Sequence, residues 1–308
     1  MANDPDSLVR QHPRDFSGQR YVYPVISRRA HGVSIGINLS PTGLCNFRCV
    51  YCQVDGRLRQ SGRPMRDTTP DGSEDPATDG NRSVEIDLAV LEDELRRTLG
   101  QALGGELFNS EAFSKTPASM RRVNDIAFSG NGEPTLSPQF PDAVQIVVNV
   151  RNASGVCGVK PVVITNATRL HVPAVSKALD LITENGGEIW AKLDAGTQPY
   201  YEQIDRSGVP FPTILDNLTG AARRSPIVIQ TLFLKMHDHP MPEEELCAYM
   251  ERLNEITRQG GRIKLLQFYT IARVTAEPWV APLVDEELDA LADRVRKETR
   301  LPVETFYR

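Results

Sequence analysis

The stretch Cys45-Asn46-Phe47-Arg48-Cys49-Val50-Tyr51-Cys52 sets three thiols on one short segment, spaced CxxxCxxC. Thiolates are the usual protein ligands of iron–sulfur clusters. Three of them hold three corners of a four-iron cubane and leave the fourth iron without a protein ligand. An open iron can bind a small molecule and act on it, which a fully ligated electron-transfer cluster cannot. Structural zinc is the other reading, but it usually takes four ligands, often as two CxxC pairs. Cys157 and Cys247 stand alone in the sequence, and no CxH or HxxxH flanks the triad. A disulfide fits poorly, because five cysteines is an odd count and three crowded ones do not pair neatly.

Working outward, apolar runs alternate between two periods. Residues 33–39, 125–129, 161–165, 188–193, 227–234 and 262–269 are nearly continuous and rich in β-branched side chains, as strands buried on both faces of a parallel sheet are. Between them Leu88, Leu91, Leu95, Leu99 and Leu103 recur at helical spacing. So do Phe140, Val144 and Val147, then Val172, Val175, Leu179 and Ile182, then Leu246, Met250, Leu253 and Ile256. Alternating strands and helices imply parallel βαβ units with right-handed crossovers. Six units are too few for a closed eight-stranded barrel. The expectation is an α/β fold: a partial (β/α)6 TIM-like barrel of parallel strands, residues 1–308 forming a single core domain with terminal extensions. A helix near 285–298 is expected to cap it, and 301–308 to be a short extension. Residues 56–82 are Arg-, Gly-, Pro- and Asp-rich with almost no large apolar side chain, and read as a polar, mobile insertion loop.

At 40% hydrophobic and 24% charged residues, the composition is that of a soluble globular protein. No apolar run is long enough to span a membrane, and the start has no basic-then-apolar secretory pattern. Unpaired thiols suit a reducing compartment, so a cytoplasmic protein is expected. A net charge of −5 gives no overall attraction to phosphate backbones. Membrane and DNA are therefore not expected partners.

CxxxCxxC with an aromatic residue before the last cysteine, here Tyr51, resembles the signature of the radical S-adenosylmethionine (SAM) superfamily. Phe128-Ser129-Gly130-Asn131-Gly132-Glu133-Pro134-Thr135-Leu136 resembles its Gly-Gly-Glu-Pro segment, and Lys192-Leu193-Asp194 a SAM contact on the fourth strand. Ser27-Arg28-Arg29, Ser34-Ile35-Gly36-Ile37 and Tyr51-Cys52-Gln53 are similar to a little-characterised bacterial and archaeal branch related to the enzymes that build the wyosine base in transfer RNA. The likeness spans roughly residues 20–275.

The resemblance implies a 4Fe-4S cluster on Cys45, Cys49 and Cys52, and reductive cleavage of SAM to a 5′-deoxyadenosyl radical that abstracts hydrogen from a substrate. It implies a flavodoxin- or ferredoxin-like electron donor. SAM would chelate the open iron through its amine and carboxylate. Acceptors near Gly130, Asn131, Gly132 and Glu133 would take the amine protons, with glycines allowing close main-chain approach. Lys192 would meet the carboxylate and Asp194 the ribose, with Asn166 and Gln230 as further contacts and the Tyr51 main chain at the adenine edge; a Lys192–Asp194 pair that only braces the strand end is the other reading. All of these fall at strand C-terminal ends, the active side of α/β barrels. The alternative from another class is a non-catalytic iron–sulfur electron carrier or redox sensor. Among enzymes, transfer-RNA modification stays open, although the acidic charge leans against it. Arg28, Arg29 and Arg273 suit an anionic substrate, an acidic partner or plain surface. His237-Asp238-His239 reads as a surface loop, Cys247 as a helix core residue, and Cys157 has no assigned role.

Overall fold

Gly32–Ile37 (β2), GVSIGI, is buried at every position and leads straight into the cysteine segment. The computed structural model describes residues 16, 18–54, 85–273, 275 and 277–308; the expected insertion loop at 56–82 lies outside them. Six further strands run parallel with β2 in one sheet: Val123–Phe128 (β3), Lys160–Thr165 (β4), Glu188–Lys192 (β5), Ile227–Leu232 (β6), Ile263–Tyr269 (β8) and Val303–Phe306 (β10). Val22–Ser27 (β1) pairs antiparallel with β2 at the other edge, giving the order β1-β2-β3-β4-β5-β6-β8-β10. Leu234–Met236 (β7) and Val280–Pro282 (β9) form a separate antiparallel pair. The result is an open, curled half-barrel of mostly parallel strands, and its six central strands are those read from the hydrophobic runs.

Strand side chains alternate between two faces. Ile126, Phe128, Val163, Ile189, Ala191, Ile229, Leu266 and Phe268 join one continuous core with the surrounding helices. These are Leu88–Leu103 (α1), Phe140–Ala153 (α2), Pro173–Glu184 (α3), Gln198–Ile204 (α4), Phe211–Arg224 (α5), Glu243–Arg258 (α6) and Asp285–Thr299 (α7). The alternate residues Ala127, Val162, Trp190 and Val228 form a small apolar plug inside the half-barrel. Burying a tryptophan this way contributes roughly 2–3 kcal/mol. Below it Glu188 accepts from the Trp190 indole at 2.9 Å and from Lys160 and Lys264 at 2.7 Å each. Those donors more than offset burial and hold its carboxyl down to about 2.

Several elements differ from the sequence reading. Leu103 ends α1 at 46% exposure, because the stripe that packs turns through Leu91, Leu95, Leu99 and Ala102. The helix expected to cap the barrel, α7, also hands the chain to β10, so residues 301–308 hold an edge strand beside β8. Strand β1 carries Pro24, which an edge tolerates because one side of the strand needs no ladder donor. Its entry is fixed by Glu94 of α1, whose carboxylate takes the N–H groups of Arg20, Tyr21 and Val22 at 2.7, 2.9 and 3.2 Å. The β1–β2 turn reaches the far edge: His31 pairs with Glu304 at 3.0 Å and Arg28 donates to the Tyr307 carbonyl.

Candidate functional site

The loops after β2, β3, β4, β5 and β8 surround a cavity of about 360 Å³ at the C-terminal ends of the strands. Cys45, Cys49 and Cys52 all line it and are all half-buried. The segment is shaped by its own backbone: the Cys52 N–H donates to the Cys49 carbonyl at 3.0 Å and the Phe47 N–H to the Cys45 sulfur at 3.4 Å. Outside support comes from residues 204 and 205, whose carbonyls accept from Val50 and Arg48 at 2.9 Å each. The Cys49 thiol donates to Asp205 at 3.4 Å. Burial pushes that thiol well above its ordinary range, and the charges of Asp205, Cys52 and Cys45 push the same way.

A coordinating thiol must lose its proton, and a bound cation supplies the opposing charge. Among the described residues no three Cys, His, Asp or Glu side chains converge as a single metal ion requires. A single zinc draws its ligands to one point at about 2.0–2.3 Å. An iron–sulfur cluster takes one thiolate per iron, so its ligands stand apart around a larger centre. Cys45, Cys49 and Cys52 line one cavity, and the remaining cysteines, Cys157 and Cys247, are exposed.

The loop after β3 is clamped to the cysteine segment. A Cβ at Gly132 would overlap the Leu44 carbonyl, next to Cys45, and one at Gly130 would overlap the Asn38 side chain. Both glycines are therefore needed for loop-to-loop approach, before any ligand is considered. The Glu133 N–H donates to the Leu44 carbonyl at 2.9 Å, and Asn38 accepts from the Asn131 N–H at 3.3 Å. The Glu133 carboxylate faces inward. It accepts from the Thr135 N–H and hydroxyl at 3.1 and 2.6 Å, the Thr165 hydroxyl at 2.7 Å and the Asn166 N–H at 2.7 Å. Burial raises its pKa, and these donors lower it part of the way. Glu133 thus ties the β3 loop to the end of β4. Asn166 continues the tie, donating to Asn46 at 2.7 Å, with its side-chain amide 3.9 Å from the Cys45 sulfur.

Across the cavity, Lys192 at the end of β5 stands between two phenols. Its ammonium is 4.9 Å from the Tyr51 ring centroid and 4.8 Å from that of Tyr269. It donates to the Tyr269 hydroxyl at 2.6 Å and lies 3.0 Å from Asp194. Burial opposes its charge, but Asp194 and Tyr269 outweigh burial and hold it protonated above the usual lysine value. Asp194 has no side-chain exposure. Its oxygens accept from the Leu232 N–H at 2.8 Å, from Lys192 and from the Tyr51 hydroxyl. Burial and the Asp194 charge keep that phenol protonated. Gln230 on β6 lines the cavity, and its amide donates to Gln267 at 2.7 Å. Its buried side-chain oxygen has no hydrogen-bond partner among the described residues.

Of the residues expected to hold the cluster or SAM, all but Asp194 line this one cavity. Arg28, Arg29 and Arg273 line it too. His237, Asp238 and His239 lie elsewhere on an exposed turn, with His237 stacked on Trp279. Cys247 is exposed on α6 beside Glu243 and Arg294 rather than in the core, because it sits off the Leu246–Met250–Leu253 stripe. Tyr269 was read at the active end of its strand but given no role, and Asn38, Asn46 and Asp205 were missed as site residues. The positions of Asn38 and Asn46 after β2 were readable, but not the tertiary contacts that give them a role.

No protein-family model matches the chain. It is 24% identical over 279 residues to a GTPase Obg of Brachyspira hyodysenteriae, covering 88% of this chain and 32% of that protein. A UPF0026 protein of Helicobacter pylori is 22% identical over 75% of this chain and 62% of its own length. A UPF0026 protein of Synechocystis is 24% identical over 76% of this chain and 71% of its own. The chain thus spans less than two thirds of the first two relatives. The phosphate-loop sequence GxxxxGK(S/T) does not occur in it. Solved structures that align include a TYW1 with a lysine–pyruvate adduct bound, with a TM-score of 0.49 and 15% identity over 87% of this chain and 74% of that one. An archaeal TYW1 aligns with a TM-score of 0.45 and 14% identity over 86% and 72%. The cysteine motif and the Gly130–Pro134 loop resemble those of the radical SAM superfamily.

Proposed function

We propose that this chain is a radical SAM enzyme. The observation that carries the reading is the meeting, in one cavity of about 360 Å³, of three thiols, a fixed lysine cation and a glycine loop locked against the thiol segment. A cavity of this size falls in the usual small-molecule range of roughly 300–1,000 Å³. A 4Fe-4S cluster on Cys45, Cys49 and Cys52, fed one electron by a flavodoxin- or ferredoxin-like donor, would cleave SAM to methionine and a 5′-deoxyadenosyl radical that takes hydrogen from the substrate.

The chain's own residues bind and orient. Lys192 offers a charge-assisted hydrogen bond to the methionine carboxylate. Tyr51, Tyr269 and Asp194 hold that ammonium in place, so Asp194 acts through Lys192 rather than by touching the ligand. The Glu133 carboxylate is occupied by four donors, which leaves main-chain carbonyls of 130–132 to accept from the amine. Gln230 offers its unpartnered oxygen, and Asn166 and the Tyr51 main chain complete the ligand's surroundings.

The test is SAM cleavage by anaerobically reconstituted, reduced protein. Wild type should release 5′-deoxyadenosine and Cys49→Ala none. Lys192→Met alone would strand the buried Asp194 carboxylate, a cost of about 3–5 kcal/mol. The double variant Lys192→Met/Asp194→Asn avoids this. It should keep its iron and bind SAM about tenfold more weakly or worse, the loss of about 1.4 kcal/mol. Cleavage by Cys49→Ala, or unchanged SAM affinity in the double variant, would contradict the reading.

A further inference from the structure

The cavity has a second end. Beyond Lys192 its wall is Tyr269, at the end of β8, and the β1–β2 turn, which brings in Arg29. The Arg29 guanidinium lies over the Tyr269 ring, 5.0 Å from its centroid. Both cations therefore sit on one phenol, but their charges are met differently. Lys192 has Asp194 at 3.0 Å. Arg29 has the aromatic face, and among the described residues it has neither a hydrogen bond nor a carboxylate at ion-pair distance. Asp125, buried on β3, feels its field without pairing with it. Arg28 and Arg273 line the same cavity, bonded to the Tyr307 carbonyl and, at 3.0 Å, to Gln53.

A guanidinium held over a ring by a cation–π contact still has its N–H fork to offer a ligand, and that fork matches the two oxygens of a carboxylate or phosphate. A half-buried cation in a cavity wall, with no carboxylate at ion-pair distance among the described residues, is a binding group for an anion from outside. We propose that the Arg29–Tyr269 end of the cavity binds the oxyanion, carboxylate or phosphate monoester, of a small-molecule substrate. This rests on the preceding reading, because SAM at the thiol and Lys192 end is what leaves this end to the substrate. A small molecule is favoured over nucleic acid because Arg29 is set within the cavity wall and the chain as a whole carries a net charge of −5.

Trp190 lines the cavity and serves as a reporter once the other tryptophan is removed by Trp279→Phe. The reconstituted protein, with SAM present, is titrated with inorganic phosphate and separately with succinate, at constant ionic strength in chloride. Wild type should give a saturable fluorescence change with at least one of them, and the tighter probe assigns the oxyanion as phosphate or carboxylate. Arg29→Gln should weaken it about tenfold or more, and Arg29→Lys, which keeps the charge and loses the fork, by an intermediate factor. If Arg29→Gln fails to fold, Arg29→Lys decides alone. Equal affinity in wild type and the Arg29 variants would overturn the proposal. So would no saturable response, or a short single-stranded RNA that binds tighter than either anion regardless of Arg29. A titration of wild type with SAM alone separates the two readings. SAM binding with an anion response indifferent to Arg29 defeats this inference only. Arg29-dependent anion binding without SAM binding supports it and defeats the assignment to SAM.

Discussion

Asp125 illustrates how single side chains here are set by the interior of the half-barrel. Burial pushes its carboxyl up from 3.8 to about 6, against a hydrogen bond from Ser34 and the field of Arg29. One of its oxygens has no partner among the described residues. A carboxyl whose folded pKa lies above its unfolded one stabilises the fold in its protonated form. That contribution is full below about 3.8 and is lost as pH rises through about 6. A rise of about two units corresponds to about 3 kcal/mol. Asp125→Asn should therefore flatten the pH dependence of stability and gain up to about 3 kcal/mol over wild type near pH 7.5, read from urea unfolding at about pH 5 and about pH 7.5. Parallel pH profiles for the two proteins would show that Asp125 ionises at its ordinary value. The thiol triad was legible at this scale because its three cysteines fall within eight residues of sequence. The bracing role of Glu133 was not, since two of its donors, Thr165 and Asn166, arrive from another strand.

The loops after β2 and β3 act as one element, because their glycines let them touch. Gly132→Ala would drive a methyl into the Leu44 carbonyl and against Ser40. Overpacking of this kind costs about 1–3 kcal/mol, and here it displaces the residue before Cys45. The variant should unfold at lower temperature and retain less iron after reconstitution. Gly220→Ala in α5, where a Cβ meets nothing within 4 Å, should instead gain up to about 1 kcal/mol from helix propensity. Wild-type iron retention in Gly132→Ala would contradict the clamp. The six central strands were legible because buried parallel strands are continuous apolar runs. Strand β1 was hidden by Pro24, β10 by its four residues with one buried, and β7 and β9 by their three-residue length. Each is an edge or a short pair, where pairing comes from tertiary neighbours rather than from a periodic signal.

The whole molecule divides its polar interior by depth. An ion-paired base at Glu188 and an apolar plug around Trp190 close one end of the half-barrel, and the strand C-terminal ends hold the thiols, Lys192 and the arginines. The position of the site was legible from the strand assignment, because motifs read independently all fell on that side. The character of its far end was not, because Arg29 comes from a turn that lies distant in sequence from Tyr269. The proposed cluster, held by Cys45, Cys49 and Cys52 with one iron open to SAM, is read by electron paramagnetic resonance of the reduced, anaerobically reconstituted protein, with iron counted on the same sample. About four irons per chain and a cluster signal that SAM shifts are expected, both lost in Cys49→Ala. About one metal ion per chain, or a cluster signal indifferent to SAM, would contradict it.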